Sequence, residues 1–242
     1  MTIEASTRVS VGVEQGADGH CWAFALDGAG CTGAGAGMEE AVEAFQRQYM
    51  EWLRFLQRVG EPVPPASAEL EIAVDEWLVT DAQVSAGETT ALFKAEYRPL
   101  EDAEIQRGVR LLGDLRGRVL ARIRQVPRRE MDAALDAPVE GGMSVRDVLE
   151  ELARAQWYTL SRLGATPMAG TPEATLGRLD AAMALVVQHL GHLDPARRDL
   201  WLELDGEEWT PRKVLRRLLW LEWTLGRAAV GGLDAATPNG AR

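Results

Sequence analysis

Two histidines, His189 and His192, stand three residues apart in a segment of helical periodicity, a spacing that could set two imidazoles side by side as metal ligands. At the helical rotation per residue they fall about 90° and about 150° from that segment's apolar stripe, which turns both away from a helical interior. Their place near a helix C-terminus also suits partial positive charge without any metal. Glu222 flanks another apolar stripe, where it could face a pocket or pair with an arginine of a neighbouring helix such as Arg154 or Arg178. Cys31 lies in the glycine-rich stretch GAGCTGAGAG, and Cys21 is the other cysteine. Two cysteines without paired CxxC spacing make neither a secreted disulfide framework nor a zinc site, so both are expected as reduced thiols. Cys31 could be a reactive thiol, but no histidine or basic cluster stands near it in sequence to activate it, which favours packing. The stretch itself lacks the GK[ST] ending of a phosphate-binding loop. Trp201, Trp209, Trp220 and Trp223 could line a ligand cleft or serve core and interface packing.

The elements that must position these residues follow from hydrophobic period. Val9, Val11 and Val13 alternate with polar or small residues, Gly16, Asp18 and Gly19 supply a turn, and Trp22, Phe24 and Leu26 alternate again, which predicts a β-hairpin. Met38, Val42, Phe45, Tyr49, Leu53 and Leu56 follow at helical spacing, and Pro62, Pro64 and Pro65 close that element. Leu70, Ile72 and Val74 then alternate with acidic and small residues, the pattern of a strand with one buried face. The order is β-β-α-β, with room for a short extra strand near Cys31.

Beyond a connector at 80–99 the period becomes helical. Ile105 to Val126 carries one apolar stripe. A second helix starts at Ser144 with Asp147 three residues on, brings Val148, Leu149, Leu152, Gln156, Leu160 and Leu163 inward, and stops at Gly164. Thr171 and Pro172 read as the N-cap and first residue of a third helix with Leu176, Leu179, Met183, Val186 and Leu190 inside. Thr210 and Pro211 open a fourth, whose stripe is Val214, Leu218, Leu221 and Leu225 and whose end is Gly231-Gly232. On this phase Trp220 and Trp223 face away from the stripe, so at least one of them is expected to pack against the N-terminal domain or a second subunit. Four long one-sided helices make a bundle. The fold class expected is α+β: a small β-β-α-β domain over 1–79, the connector 80–99, an all-α bundle over 100–232 and a tail at 233–242.

Composition limits the function. The chain has 242 residues, 46% of them hydrophobic, and a net charge of −11, so it can build real cores but repels phosphate backbones. Nucleic acid is not an expected partner. No apolar run approaches the roughly 20 residues of a membrane span, and MTIEASTRVS has no signal-peptide pattern, which leaves a cytoplasmic protein as the expectation.

Two stretches carry family resemblance. LDGAGCTGAGAGMEEAVEAF, within residues 8 to 79, resembles the HicB-like signature, whose domain is a three- or four-stranded sheet on a helix and whose known members include antitoxins that grip an RNA-cleaving partner. An appended DNA-binding segment is not expected in this chain. SVRDVLEELARAQWY and EWTPRKVLRRLLWLEWTLGR resemble the DinB-like (YfiT-like) four-helix bundles, over about residues 92 to 230. Enzymatic members of that family hold a divalent metal with three histidines, and some activate a thiol cofactor with it. Carried onto this chain, the three ligand positions are Glu151, Leu221 and Leu225, and none is histidine. Glu151 could be a surviving ligand or base, or a solvated or ion-paired helix residue. The resemblance therefore implies a non-catalytic or catalytically degenerate bundle that acts by binding or assembly, through a protein partner or self-association and without a cofactor. The alternative is a metal-dependent thiol transferase or hydrolase with ligands moved to carboxylates such as Glu151 and Glu222.

Overall fold

The structure is a computed structural model that describes residues 6–27, 30–66, 68–166 and 172–237. It is mixed α+β, with a four-stranded sheet followed by helices. Two compact units emerge: one runs up to Arg98 and includes Trp201–Thr210, and the other takes Pro99–Leu200 and the chain from Pro211. No helix among the described residues is long and apolar enough to cross a membrane.

In the first unit β1 (Ser6–Gln15), β2 (Cys21–Ala25) and β3 (Thr32–Gly35) form an antiparallel run, α1 (Met38–Arg58) crosses over, and β4 (Glu69–Val79) returns parallel to β1. The sheet order is β3-β2-β1-β4. Alternation in β1 sends Val9, Val11 and Val13 into the core beneath the buried α1 residues Phe45, Trp52, Phe55 and Leu56. Close approach of α1 to β3 explains the glycine-rich stretch: a Cβ on Gly33 would lie 2.1 Å from the Phe45 backbone nitrogen. Gly28 and Ala29 of that stretch lie outside the described residues.

The strand at 69–79 differs from expectation. Instead of one buried face, β4 has Leu70 and Ile72 half-buried and Val74, Trp77 and Val79 exposed. The cause is topological, because α1 lies over β2 and β3 and leaves β4 at the sheet edge.

The expected connector at 80–99 is also built in, up to Arg98. Ala82, Val84, Ala91, Leu92 and Phe93 are buried, and Phe93 lies on Gly12 of β1 with its ring centroid 5.9 Å from that of Phe24. Glu14, fully buried, anchors this segment. Its carboxylate accepts hydrogen bonds from the Thr80 hydroxyl (2.9 Å), the Thr90 N–H (2.8 Å) and the Ala91 N–H (3.1 Å), and from the Thr89 hydroxyl. A buried carboxylate persists when its lone pairs are satisfied in this way. The unit also holds a hairpin absent from the sequence expectation, β5 (Leu202–Leu204) and β6 (Glu207–Trp209), turned by Asp205 and Gly206 at φ 56 and 77. Asp-Gly between two short apolar-polar runs was the available signal.

In the second unit α2 (Asp102–Gln125), α4 (Val145–Ser161), α5 (Thr175–Leu185) and α6 (Pro211–Ala236) are the long helices, and α3 (Met131–Leu135) is a short addition. Ser144 caps α4 and shares a capping box with Asp147, whose N–H donates to the Ser144 hydroxyl at 3.1 Å. α5 starts later than the sequence suggested: Pro172 precedes it, Ala174 is its N-cap, and Thr171 lies outside the described residues. It continues as a π-helical turn over Val186–Leu190. α6 runs through Gly231 and Gly232 to Ala236 rather than stopping there. Gly232 is in the helix interior because a Cβ would meet the Val145 side chain at 2.6 Å. The core of the unit joins Val119, Ile123, Val148, Leu149, Leu152, Leu179, Ala182, Ala229 and Leu233.

Candidate functional site

Within the helical unit a buried polar cluster to which four helices contribute interrupts the apolar core. Arg116 of α2, Gln156 of α4 and Glu222 of α6 are 3%, 0% and 1% exposed, and the backbone carbonyl of Leu179 on α5 completes the set. Arg116 grips Glu222 with a two-pronged ion pair, Nε to Oε1 at 2.8 Å and Nη2 to Oε2 at 2.9 Å. Its Nη1 donates to the Leu179 carbonyl at 2.7 Å, and its Nη2 also donates to Gln156 Oε1 at 3.0 Å. Gln156 Nε2 in turn donates to Glu222 Oε2 at 2.7 Å. Each charge is answered by its opposite and each nitrogen has a partner, the condition under which buried ions persist.

The cluster corrects two expectations. Glu222 pairs with Arg116, not with Arg154 or Arg178, and it lies inside the stripe of α6 rather than beside it. The inward face of α6 is Val214, Leu218, Glu222, Gly226, Ala229 and Leu233. A glutamate and a glycine occupy two inward positions, so hydrophobic period alone shifts the stripe onto Leu221 and Leu225. Those two leucines are only partly buried, packed against the core from its margin. Trp223 is 3% exposed, with the guanidiniums of Arg118 and Arg227 at 5.8 and 5.0 Å from its ring centroid. Trp220 is buried as well, Trp209 is buried in the β5–β6 hairpin, and Trp201 is half-exposed with its indole N–H on Glu208 at 3.0 Å.

Glu151 is found in an open groove of about 560 Å³ beside α4, lined with it by Asp147, Glu150, Arg154, Trp157 and Arg178. Its side chain is 33% exposed and ion-paired with Arg154. Glu150 accepts from the Thr175 hydroxyl at 2.8 Å and faces Arg178 at 3.6 Å. Asp147 is engaged in the α4 capping box, and hydrogen bonds from Ser144 hold its carboxyl below the usual range. Trp157 adds an apolar wall, its indole N–H buried without a hydrogen-bond partner among the described residues. The groove thus carries three carboxylates already engaged and two arginines, with no thiol or imidazole among the residues that line it.

The metal implied by the family resemblance does not fit these residues. Leu221 and Leu225 have no donor atom, Glu222 is consumed by Arg116 and Gln156, and Glu151 is partnered by Arg154. His189 is part-exposed on the π-helical turn and His192 is exposed beyond it. Among the described residues no three His, Cys, Asp or Glu side chains come together in a group able to hold an ion.

The remaining candidates are structural in their surroundings. Cys21 and Cys31 are both free thiols and both buried, and burial, followed by the charge of Asp18, pushes the Cys21 thiol up, away from the thiolate a nucleophile needs. The α1 end of the glycine-rich stretch carries Glu39 and Glu40, and Glu40 accepts from the Ala36 N–H at 3.0 Å, so carboxylate already occupies the place a phosphate would take. Comparison with family models, with curated proteins and with solved structures found no match to this chain.

Proposed function

We propose that this chain is a HicB-like domain joined to a DinB-like bundle that has exchanged its metal site for core, and that it acts by binding or assembly rather than by catalysis. The observation that carries this reading is the closed cluster of Arg116, Gln156, Glu222 and the Leu179 carbonyl. The interior carboxylate that could have served as ligand or base spends both oxygens on partners within the protein. A catalytic acid or base needs an open position toward substrate, and Glu222 has none. The acids of the groove beside α4 are likewise tied up, which suits a recognition surface better than a reaction centre. The N-terminal unit is the protein-contact module in this reading, a role the HicB-like resemblance suggests.

Elemental analysis of protein purified without chelator or affinity nickel tests the proposal. Zinc, nickel, iron and manganese are each expected well below one equivalent. One equivalent of tightly held metal, lost on Glu151→Ala or Glu222→Gln, would overturn it in favour of a carboxylate-ligated enzyme.

A further inference from the structure

The edge strand β4 combines three features that act together. Its outer edge has no neighbouring strand among the described residues, so the outward N–H and C=O groups along its 11 residues have no strand to pair with there. Its register with β1 sets Ile72, Val74 and Trp77 opposite Val9, Val11 and Val13, which continues the apolar face of the sheet beyond the cover of α1, and Val79 follows on the same face opposite Gln15. Val74, Trp77 and Val79 are 40%, 57% and 72% exposed there. On the opposite face stand Glu69 and Glu71, exposed and with no ion-pair or hydrogen-bond partner among the described residues, whereas Asp75 is held by Arg8 and Glu76 accepts from the Lys94 N–H at 2.8 Å.

We infer that β4 is a docking edge for an extended segment of another protein that alternates apolar with basic residues, an inference that rests on the binding function proposed above. An added strand satisfies the open backbone groups, its apolar side chains cover Val74, Trp77 and Val79, and its lysines or arginines meet Glu69 and Glu71. Charge selects this occupant over a second copy. β4 contains no lysine or arginine, so another copy of it brings no cation to Glu69 and Glu71. Exposed acids and the bulge at Val11/Gly12 are common protections of an edge against its own kind. They leave the edge open to a basic strand.

The test uses the full chain and two fluorescently labelled peptides of about ten residues, one alternating lysine with valine and the other carrying glutamate at the lysine positions, followed by anisotropy. The lysine peptide is expected to bind and the glutamate peptide to show no saturable binding. Reversal of the two exposed acids, Glu69→Lys with Glu71→Lys, is expected to invert the preference by roughly tenfold in each direction. Trp77→Ser is expected to weaken whichever peptide binds. Thermal melts matching those of the unaltered chain establish that these exposed substitutions leave the fold intact. Absence of lysine-peptide binding, or binding indifferent to both sets of substitutions, overturns the inference. So does a dimer in sedimentation that Trp77→Ser dissolves, since it makes a second copy the occupant. None of these outcomes touches the metal content that tests the non-catalytic reading, so the two proposals fail separately.

Discussion

Replacing Glu222 alone is expected to be among the most damaging single changes in the helical unit. In Glu222→Leu the Arg116 guanidinium, 3% exposed, keeps the Leu179 carbonyl and Gln156 but loses its counter-charge and two hydrogen bonds. Breaking one side of a buried pair costs about 3 to 5 kcal/mol, a large part of the roughly 5 to 15 kcal/mol that holds a domain folded. With a urea slope of about 2 kcal/mol per molar, a 4 kcal/mol loss lowers the unfolding midpoint by about 2 M. The double variant Arg116→Met with Glu222→Leu removes both charges and leaves only Gln156 and the Leu179 carbonyl short of partners, at about 1 to 3 kcal/mol each before the gain from added apolar packing. It is expected to be more stable than Glu222→Leu. Urea melts followed by far-UV circular dichroism measure all three chains and close the double-mutant cycle with Arg116→Met. A loss below about 1 kcal/mol in Glu222→Leu, or a double variant weaker than the single, would refute the argument that the pair is a sealed electrostatic unit.

The phase of α6 predicts that Leu218→Ala, at a fully buried position, costs about 2 to 5 kcal/mol, and that Leu221→Ala and Leu225→Ala, at the core margin, each cost less than that. Equal losses at all three, read from the same melts, would return Leu221 and Leu225 to the interior. Gly33→Ala is expected to destabilise the first unit by about 3 kcal/mol or more, because backbone rather than a flexible side chain lies 2.1 Å from the new methyl group, and hydrogen exchange in β3 and α1 should report it. Asp147 titrates below the usual carboxylate range because of its hydrogen bonds with Ser144. A lowered folded-state pKa adds stability that is fully present above the unfolded carboxylate pKa and is lost as pH falls through the folded value. Ser144→Ala should raise the Asp147 pKa, seen by NMR titration, and shrink that acid-side dependence; an unmoved titration would contradict the assigned cause.

Local patterns in the sequence were enough to specify the first strand and hairpin, the α1 and α4 helices, the Ser144–Asp147 cap and the change from mixed to helical organisation near residue 100. Alternation, capping chemistry and turn residues are properties of neighbours in the chain, and neighbours are what a sequence displays. Gln156 could even be placed inward, because it falls in phase with Leu149, Leu152 and Leu160. The long-range choices were decided elsewhere. Nothing in ELEIAVDEWLV says that α1 will cover β2 and β3 and leave this strand at the edge, since coverage depends on how closely Gly33 lets the helix approach the other side of the sheet. Burial of Glu14 required four threonine and alanine residues from 80–91 to converge on one carboxylate. The true face of α6 was hidden because Glu222 and Gly226 interrupt its hydrophobic period, and a glutamate reads as solvent-facing until its counter-charge is known. That counter-charge, Arg116, lies 106 residues earlier, on a helix where it too looks like surface. Each ion makes the other's burial tolerable, so neither can be placed from its own neighbourhood, and only the assembled bundle that brings them within 2.8 Å decides that both belong inside.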